Sequence, residues 1–331
     1  MSDAYRIRSD LKRVDVDGFA FPLGVEATSA CPSSQGYAVA WLEGESDGPD
    51  TYSYFVAVSH ERLKPLVDSL FQLLPDEVAG IVEVGSRDAY RAVDVFLSQQ
   101  VISRESFLEI WACYESLFLE DASLAVGVNT STPFMEIFID QDKRVTVHVE
   151  PEGREAVDRI LAGHDLLECD ERDIAVSESQ LEGTLIRPVL VEDPDLLCDL
   201  DQLLLTLRDG WDLMLDEEFD RNLDSAGREL GYTLWFVTAL LASEDSAQGQ
   251  PACVTAWVIS RSRSELESLV QNQVESTSKW FVIDFYTVDR VAFDDRPESM
   301  ADLLPRFTKS EILSLEIEEM DEPRGSGGRH G

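Results

Sequence analysis

Gly36-Tyr37-Ala38-Val39-Ala40-Trp41, a polar break at Asp47-Gly48-Pro49-Asp50, and Tyr52-Ser53-Tyr54-Phe55-Val56-Ala57-Val58 decide the fold class of this chain. Both apolar runs are rich in the β-branched and aromatic residues that suit a pleated, half-buried surface, and the break between them holds turn residues. They predict a hairpin. Downstream, Leu63, Leu66, Val67, Leu70, Phe71 and Leu74 recur at helical spacing, with Pro65 near the first turn and Pro75 as the stop. Gly80 to Val84 then predicts a strand, and Ser86 opens a helix carrying Tyr90, Val93 and Leu97. The order is ββαβα.

The same order returns near the C-terminus. Gly231 to Phe236 and Cys253 to Ile259 predict two strands around a polar turn from Ser243 to Gln250. Ser262-x-x-Glu265 is a capping box that opens a helix with Leu266, Leu269 and Val270. Trp280 to Val288 predicts a strand, and Pro297 starts a short helix. Between the two segments lie a helix at about 104–119, strands at Leu124–Val128, Phe134–Ile139 and Arg144–Val149, and a helix from Pro151 to Gly163. The chain therefore predicts an α+β fold, mainly antiparallel sheets backed by helices, with an internal duplication of the ββαβα unit. The expected divisions are residues 1–121, 122–229 and 230–323, followed by a flexible tail at 324–331.

Charge is the strongest bulk signal. Sixty-five acidic residues oppose 27 basic ones, for a formal net charge of −38. Such a surface repels nucleic acid and anionic membranes, so neither is an expected partner. Hydrophobic residues still make up 44% of the chain, which excludes a disordered acidic tail. The excess fits either adaptation to a salty cytoplasm or a surface built to hold a basic partner.

The five cysteines form no Cys-x-x-Cys pair, so no zinc knuckle or redox motif is present, and reduced thiols in a cytoplasm are expected. Cys113 is predicted on an apolar helix face beside Ile110 and Leu117, as a small hydrophobe. The N-terminal residues are too charged for a signal peptide. The longest apolar stretch, Leu230 to Ala242, is shorter than the ~20 residues that span a bilayer.

Few constellations carry chemistry. Nucleophile-elbow and phosphate-loop motifs are both missing. His148 and Glu150 alternate onto one strand face, and His164 follows the next helix; these three are the candidates for metal ligands, but a partly exposed strand His and a helix-end His is the preferred reading, and no metal site is expected. Ser59 reads as a helix cap. Glu83 and Asp284 occupy corresponding strands of the two repeats and could pair as acid and base if the repeats met face to face; the preferred reading is a solvent-facing acid on each half-buried strand. No cofactor is expected.

The densest feature runs from Glu192 to Asp220, where eleven acids face one base, Arg208. Leu196, Leu200, Leu203 and Leu207 share a helical face, and Trp211 and Leu213 follow, with Asp212 and Asp216 beside them. Two readings apply: a core helix with an acidic outer face, or a contact surface for a basic or amphipathic protein. The helix, three strands and helix over about 104–163 resemble the layout of small acidic secretion chaperones, without a shared motif. The sequence thus points to a non-catalytic acidic cytoplasmic protein, an adaptor or chaperone-like module for a basic or amphipathic partner. A metal-dependent hydrolase using carboxylate and His residues, and a nucleic-acid mimic, are the alternatives.

Overall fold

A computed structural model describes residues 5–27, 34–44, 48–169, 184–191, 200–243, 252–277 and 279–319. Helices and antiparallel sheets mix throughout, an α+β architecture. The chain forms two compact units, neither of them continuous. Unit 1 comprises Met1–Gly85 and Asp94–Asp216; unit 2 comprises Ser86–Val93 and Glu217–Gly331. The sequence-read boundaries at 121/122 and 229/230 therefore fall inside unit 1 and inside unit 2. The predicted tail at 324–331 lies outside the described residues.

Unit 1 begins with short strands β1 (Asp15–Val16), β2 (Phe19–Ala20) and β3 (Val25–Ala27). Then come β4 (Gly36–Leu42), β5 (Thr51–Ala57), helix α1 (His60–Leu70), β6 (Glu77–Gly85), β7 (Val93–Ser98) and β8 (Ile102–Ser103). Helix α2 (Arg104–Glu120) leads into β9 (Leu124–Ser131), β10 (Phe134–Ile139) and β11 (Val145–Val149). Helix α3 (Arg154–Gly163), β12 (Thr184–Ile186), helix α4 (Leu200–Trp211) and β13 (Leu213–Leu215) complete it. A nine-stranded sheet runs β13-β7-β6-β9-β10-β11-β5-β4, with β8 beside β6.

Alternation dictates which face of this sheet is buried. Val126, Val128, Ile137, Ile139, Val145 and Val147 point to one side and are fully buried, together with Leu63, Leu66 and Leu70 of α1, Phe107 and Trp111 of α2, and Leu161 of α3. Helix α4 adds Leu203, Leu207 and Trp211 to the same core. Trp211 stacks on Phe107 at 4.8 Å between ring centroids and lies against Gly80, where an added Cβ would come within 3.1 Å of the indole. Burying such side chains contributes about 1.5–3 kcal/mol each.

Unit 2 is a four-stranded sheet in the order β16-β14-β15-β17, built from β14 (Thr233–Ser243), β15 (Ala252–Ser260), β16 (Trp280–Val291) and β17 (Glu311–Glu319). Helix α5 (Arg263–Thr277) packs on it, burying Leu266, Val270 and Val274 against Trp235, Val237, Ala239, Val254 and Ala256. Its N-terminus carries the expected cap, with the Glu265 N–H donating to Ser262 Oγ at 3.3 Å.

Three expectations change. The helix from Ser86 through Leu97 does not form: β7 occupies Val93–Ser98, and residues 86–92 belong to unit 2. β7 is held between β13 and β6 and buries Phe96, on the face opposite Val93, Val95 and Leu97, so sheet pairing prevails over the helical spacing of Tyr90, Val93 and Leu97. The two ββαβ runs also differ in pairing. β16 returns beside β14, whereas β6 lies four strands away from β5, with β9, β10 and β11 between them. Cys113 is exposed, because the buried face of α2 is set by Phe107, Trp111 and Phe118, and Cys113 lies about 200° around the helix from Trp111.

Candidate functional site

The three candidate metal ligands are held by different neighbours. His148 lies on β11, on the sheet face opposite Val147 and Val149, and its Nδ1 is 2.7 Å from Ser53 Oγ. Glu150 turns to the end of the hairpin, where Oε1 accepts the Phe134 N–H at 3.0 Å. His164 caps α3 and its Nε2 is 2.9 Å from Ser69 Oγ. Among the described residues no three His, Cys, Asp or Glu side chains are grouped to hold a metal ion.

His148 belongs to a polar row that sequence spacing does not reveal. Register aligns Asn129 with Glu136, Glu136 with His148, and His148 with Ser53 across β9, β10, β11 and β5. Burial holds the imidazole below its ordinary value and pushes the Glu136 carboxyl up, against a hydrogen bond from Asn129. Burial and then the charge of Glu136 push Glu83 up as well. Burial thus disfavours the charged form of all three groups. Ser53, however, is fully buried and committed to His148, so it is closed to a substrate. Ser59 precedes α1 but makes no side-chain cap; its Oγ accepts the Ala20 N–H at 2.9 Å and donates to Glu61.

The leucine-rich segment divides. Leu196 lies outside the described residues. Leu200 is partly buried against the core of unit 1, while Leu203, Leu207, Trp211 and Leu213 are inside it. Asp212 and Asp216 are exposed. Of the apolar side chains read from sequence as either core or contact surface, Leu203, Leu207, Trp211 and Leu213 are core, and Trp211 presents no area to a partner.

Large apolar side chains are exposed at several places among the described residues, Leu167, Ile186 and Leu304 most of all, and three of them, Phe281, Ile283 and Tyr286, share β16. Among the described residues this strand pairs with β14 only, and the pairing slips twice. Thr238 faces Thr287 and Ala239 faces Phe285, which leaves Tyr286 unopposed; Leu240 faces Asp284 and Leu241 faces Val282, which leaves Ile283 unopposed. Each slip is a β-bulge, an extra residue that re-aims a side chain. Ile283 is 55% exposed and Tyr286 38%, with Phe281 at 38% beside them. Asp284, between the two bulged residues, is exposed too. A sequence signal existed: Phe281-Val282-Ile283 and Phe285-Tyr286 put apolar residues side by side where a one-sided strand should alternate.

The far end of β16 is closed by residues 86–92 of the same unit. The Arg290 N–H donates to Asp88 Oδ2 at 2.9 Å, and the Arg290 carbonyl accepts the Ala89 N–H at 2.9 Å.

No protein-family model, curated protein or solved structure matches the chain.

Proposed function

We propose that this chain is a non-catalytic, acidic binding module of the cytoplasm, an adaptor or chaperone-like protein that docks a basic, amphipathic protein partner on β16. One observation carries the reading: two bulges in a single edge strand each turn out a large apolar side chain, Ile283 and Tyr286, around an exposed Asp284. Bulges re-aim side chains, and apolar side chains exposed together beside polar residues are the kind of surface that interaction sites use. The net charge of −38 selects among partners. It attracts a basic protein and raises its rate of encounter, while a second copy of the chain, a membrane of anionic lipid and a nucleic acid are all repelled.

Titration with a leucine–lysine amphipathic peptide at 0.15 M salt tests this, using the chain and its Ile283→Asp/Tyr286→Asp variant. The variant adds two negative charges, so a purely electrostatic association would strengthen. Docking on the patch predicts at least tenfold weaker binding at an unchanged melting temperature. Equal or tighter binding by the variant would overturn the reading.

A further inference from the structure

We infer that unit 2 holds a binding site for a small zwitterion, a ligand with one carboxylate and one ammonium such as a free α-amino acid; this stands apart from docking on β16. The site is a cavity of about 180 Å³ whose lining belongs entirely to unit 2 and includes Arg221, Arg263, Arg290 and Glu218. That volume is below the ~300 Å³ at which sites for drug-sized ligands begin, so the ligand is small. Arg290 gives Nε to Asp88 at 2.7 Å and Nη1 to Asn222 Oδ1 at 3.0 Å and to the Leu223 carbonyl. Arg263 gives Nε to Glu267 at 2.7 Å and Nη1 to Glu217 at 2.8 Å. Arg221 gives Nε to Glu229 at 2.9 Å and Nη1 to Glu218 at 3.3 Å. On all three the other terminal nitrogen, Nη2, donates to no group among the described residues. Arg290 is only 5% exposed, yet neither its Nη2 nor that of Arg263 is sealed from solvent. Buried donors are matched by acceptors, and a guanidinium fork suits a carboxylate. Two other lining residues hold the fork in place: the Tyr90 and Trp235 rings lie 5.5 and 5.6 Å from the Arg290 guanidinium carbon.

The walls carry carboxylates as well. Four arginines and three acids line the cavity, and their ion-paired neighbours add Arg228 with Asp88, Glu229 and Glu267, which leaves the acids in slight excess. A dianion such as phosphate therefore meets no net attraction. A zwitterion satisfies both signs. Its carboxylate takes the Nη2 donors, and its ammonium takes Glu218, whose Oε1 accepts no hydrogen bond among the described residues and whose side chain is 63% exposed.

Calorimetric titration of the full chain with L-alanine, acetate and inorganic phosphate tests this. L-Alanine is expected to bind, acetate to bind at least tenfold more weakly because it lacks the ammonium, and phosphate not to compete with either. Glu218→Gln, an exposed change that removes one charge, should weaken L-alanine at least tenfold at an unchanged melting temperature and leave acetate unaffected. Arg263→Gln should weaken both. No binding of L-alanine, acetate as tight as L-alanine, phosphate that displaces L-alanine, or L-alanine binding indifferent to either variant would each overturn the zwitterion site. None of these outcomes bears on β16, which none of the three probes can fill as an amphipathic peptide would.

Discussion

Asp88 holds Arg290 twice through one oxygen: Oδ2 accepts the guanidinium Nε–H at 2.7 Å and the backbone N–H at 2.9 Å. Both side chains are buried, Asp88 completely, and the guanidinium also donates to Asn222 Oδ1 and to the Leu223 carbonyl. Two residues more than 200 positions apart in sequence thereby fasten the 86–92 segment to the end of β16.

Breaking that pair leaves a buried guanidinium without its counterion. Asp88→Ala should cost about 3–5 kcal/mol. Hydrogen exchange in β14 and β15 under mild denaturant reads this as loss of protection in unit 2. A loss under 1 kcal/mol would show that the pair does not hold the segment.

Glu120 makes unit 1 sensitive to acid. Burial raises its carboxyl, but hydrogen bonds from His60, Arg13 and the Leu23 N–H outweigh burial and bring it down to about 2 from 4.5. A depressed carboxyl stabilises the fold above its unfolded value, and that contribution, roughly 3 kcal/mol, fades as pH falls from about 5 through 2. Glu120→Gln should flatten this acid limb of the stability curve. An unchanged limb would place acid sensitivity in other carboxylates.

Lys143 acts at the other end of the scale. Burial lowers its ammonium to about 8 from 10.5, against attraction from Asp121, Asp140, Asp142 and Glu120, and its Nζ donates to the Leu124 carbonyl at 2.7 Å. Between about pH 8 and 10.5 the unfolded chain binds the proton more readily, so stability should rise with pH through that window. The sequence has five lysines, which makes the side-chain carbon signals tractable by NMR. A midpoint near 8 for Lys143 is expected, and one above 10 would contradict the burial argument.

Trp211 decides between core and contact surface for its segment. Its full burial against Phe107, Phe118 and Gly80 predicts that Trp211→Ala costs about 3–5 kcal/mol and lowers the melting temperature sharply. A variant of near-native stability would return the segment to the surface.

Much of the fold was legible in sequence because its signals are local. The hairpin of β4 and β5, the helical spacing of Leu63, Leu66 and Leu70, and the capping box at Ser262 each depend on neighbours within a few residues. Leu203, Leu207 and Trp211 were ambiguous for a physical reason: an amphipathic face records that it is buried, not against what. The polar row through Asn129, Glu136, His148 and Ser53 exists only in cross-strand register. The two bulges likewise emerge only when β16 is counted against β14, although the paired apolar residues at 281–283 and 285–286 hinted at a broken alternation.

Hydrogen–deuterium exchange of the full chain with and without the leucine–lysine amphipathic peptide tests the central claim most directly. Docking on β16 predicts new protection confined to residues 280–288, absent in the Ile283→Asp/Tyr286→Asp variant. Protection centred on another element, such as α4, or spread evenly over the acidic surface would contradict it.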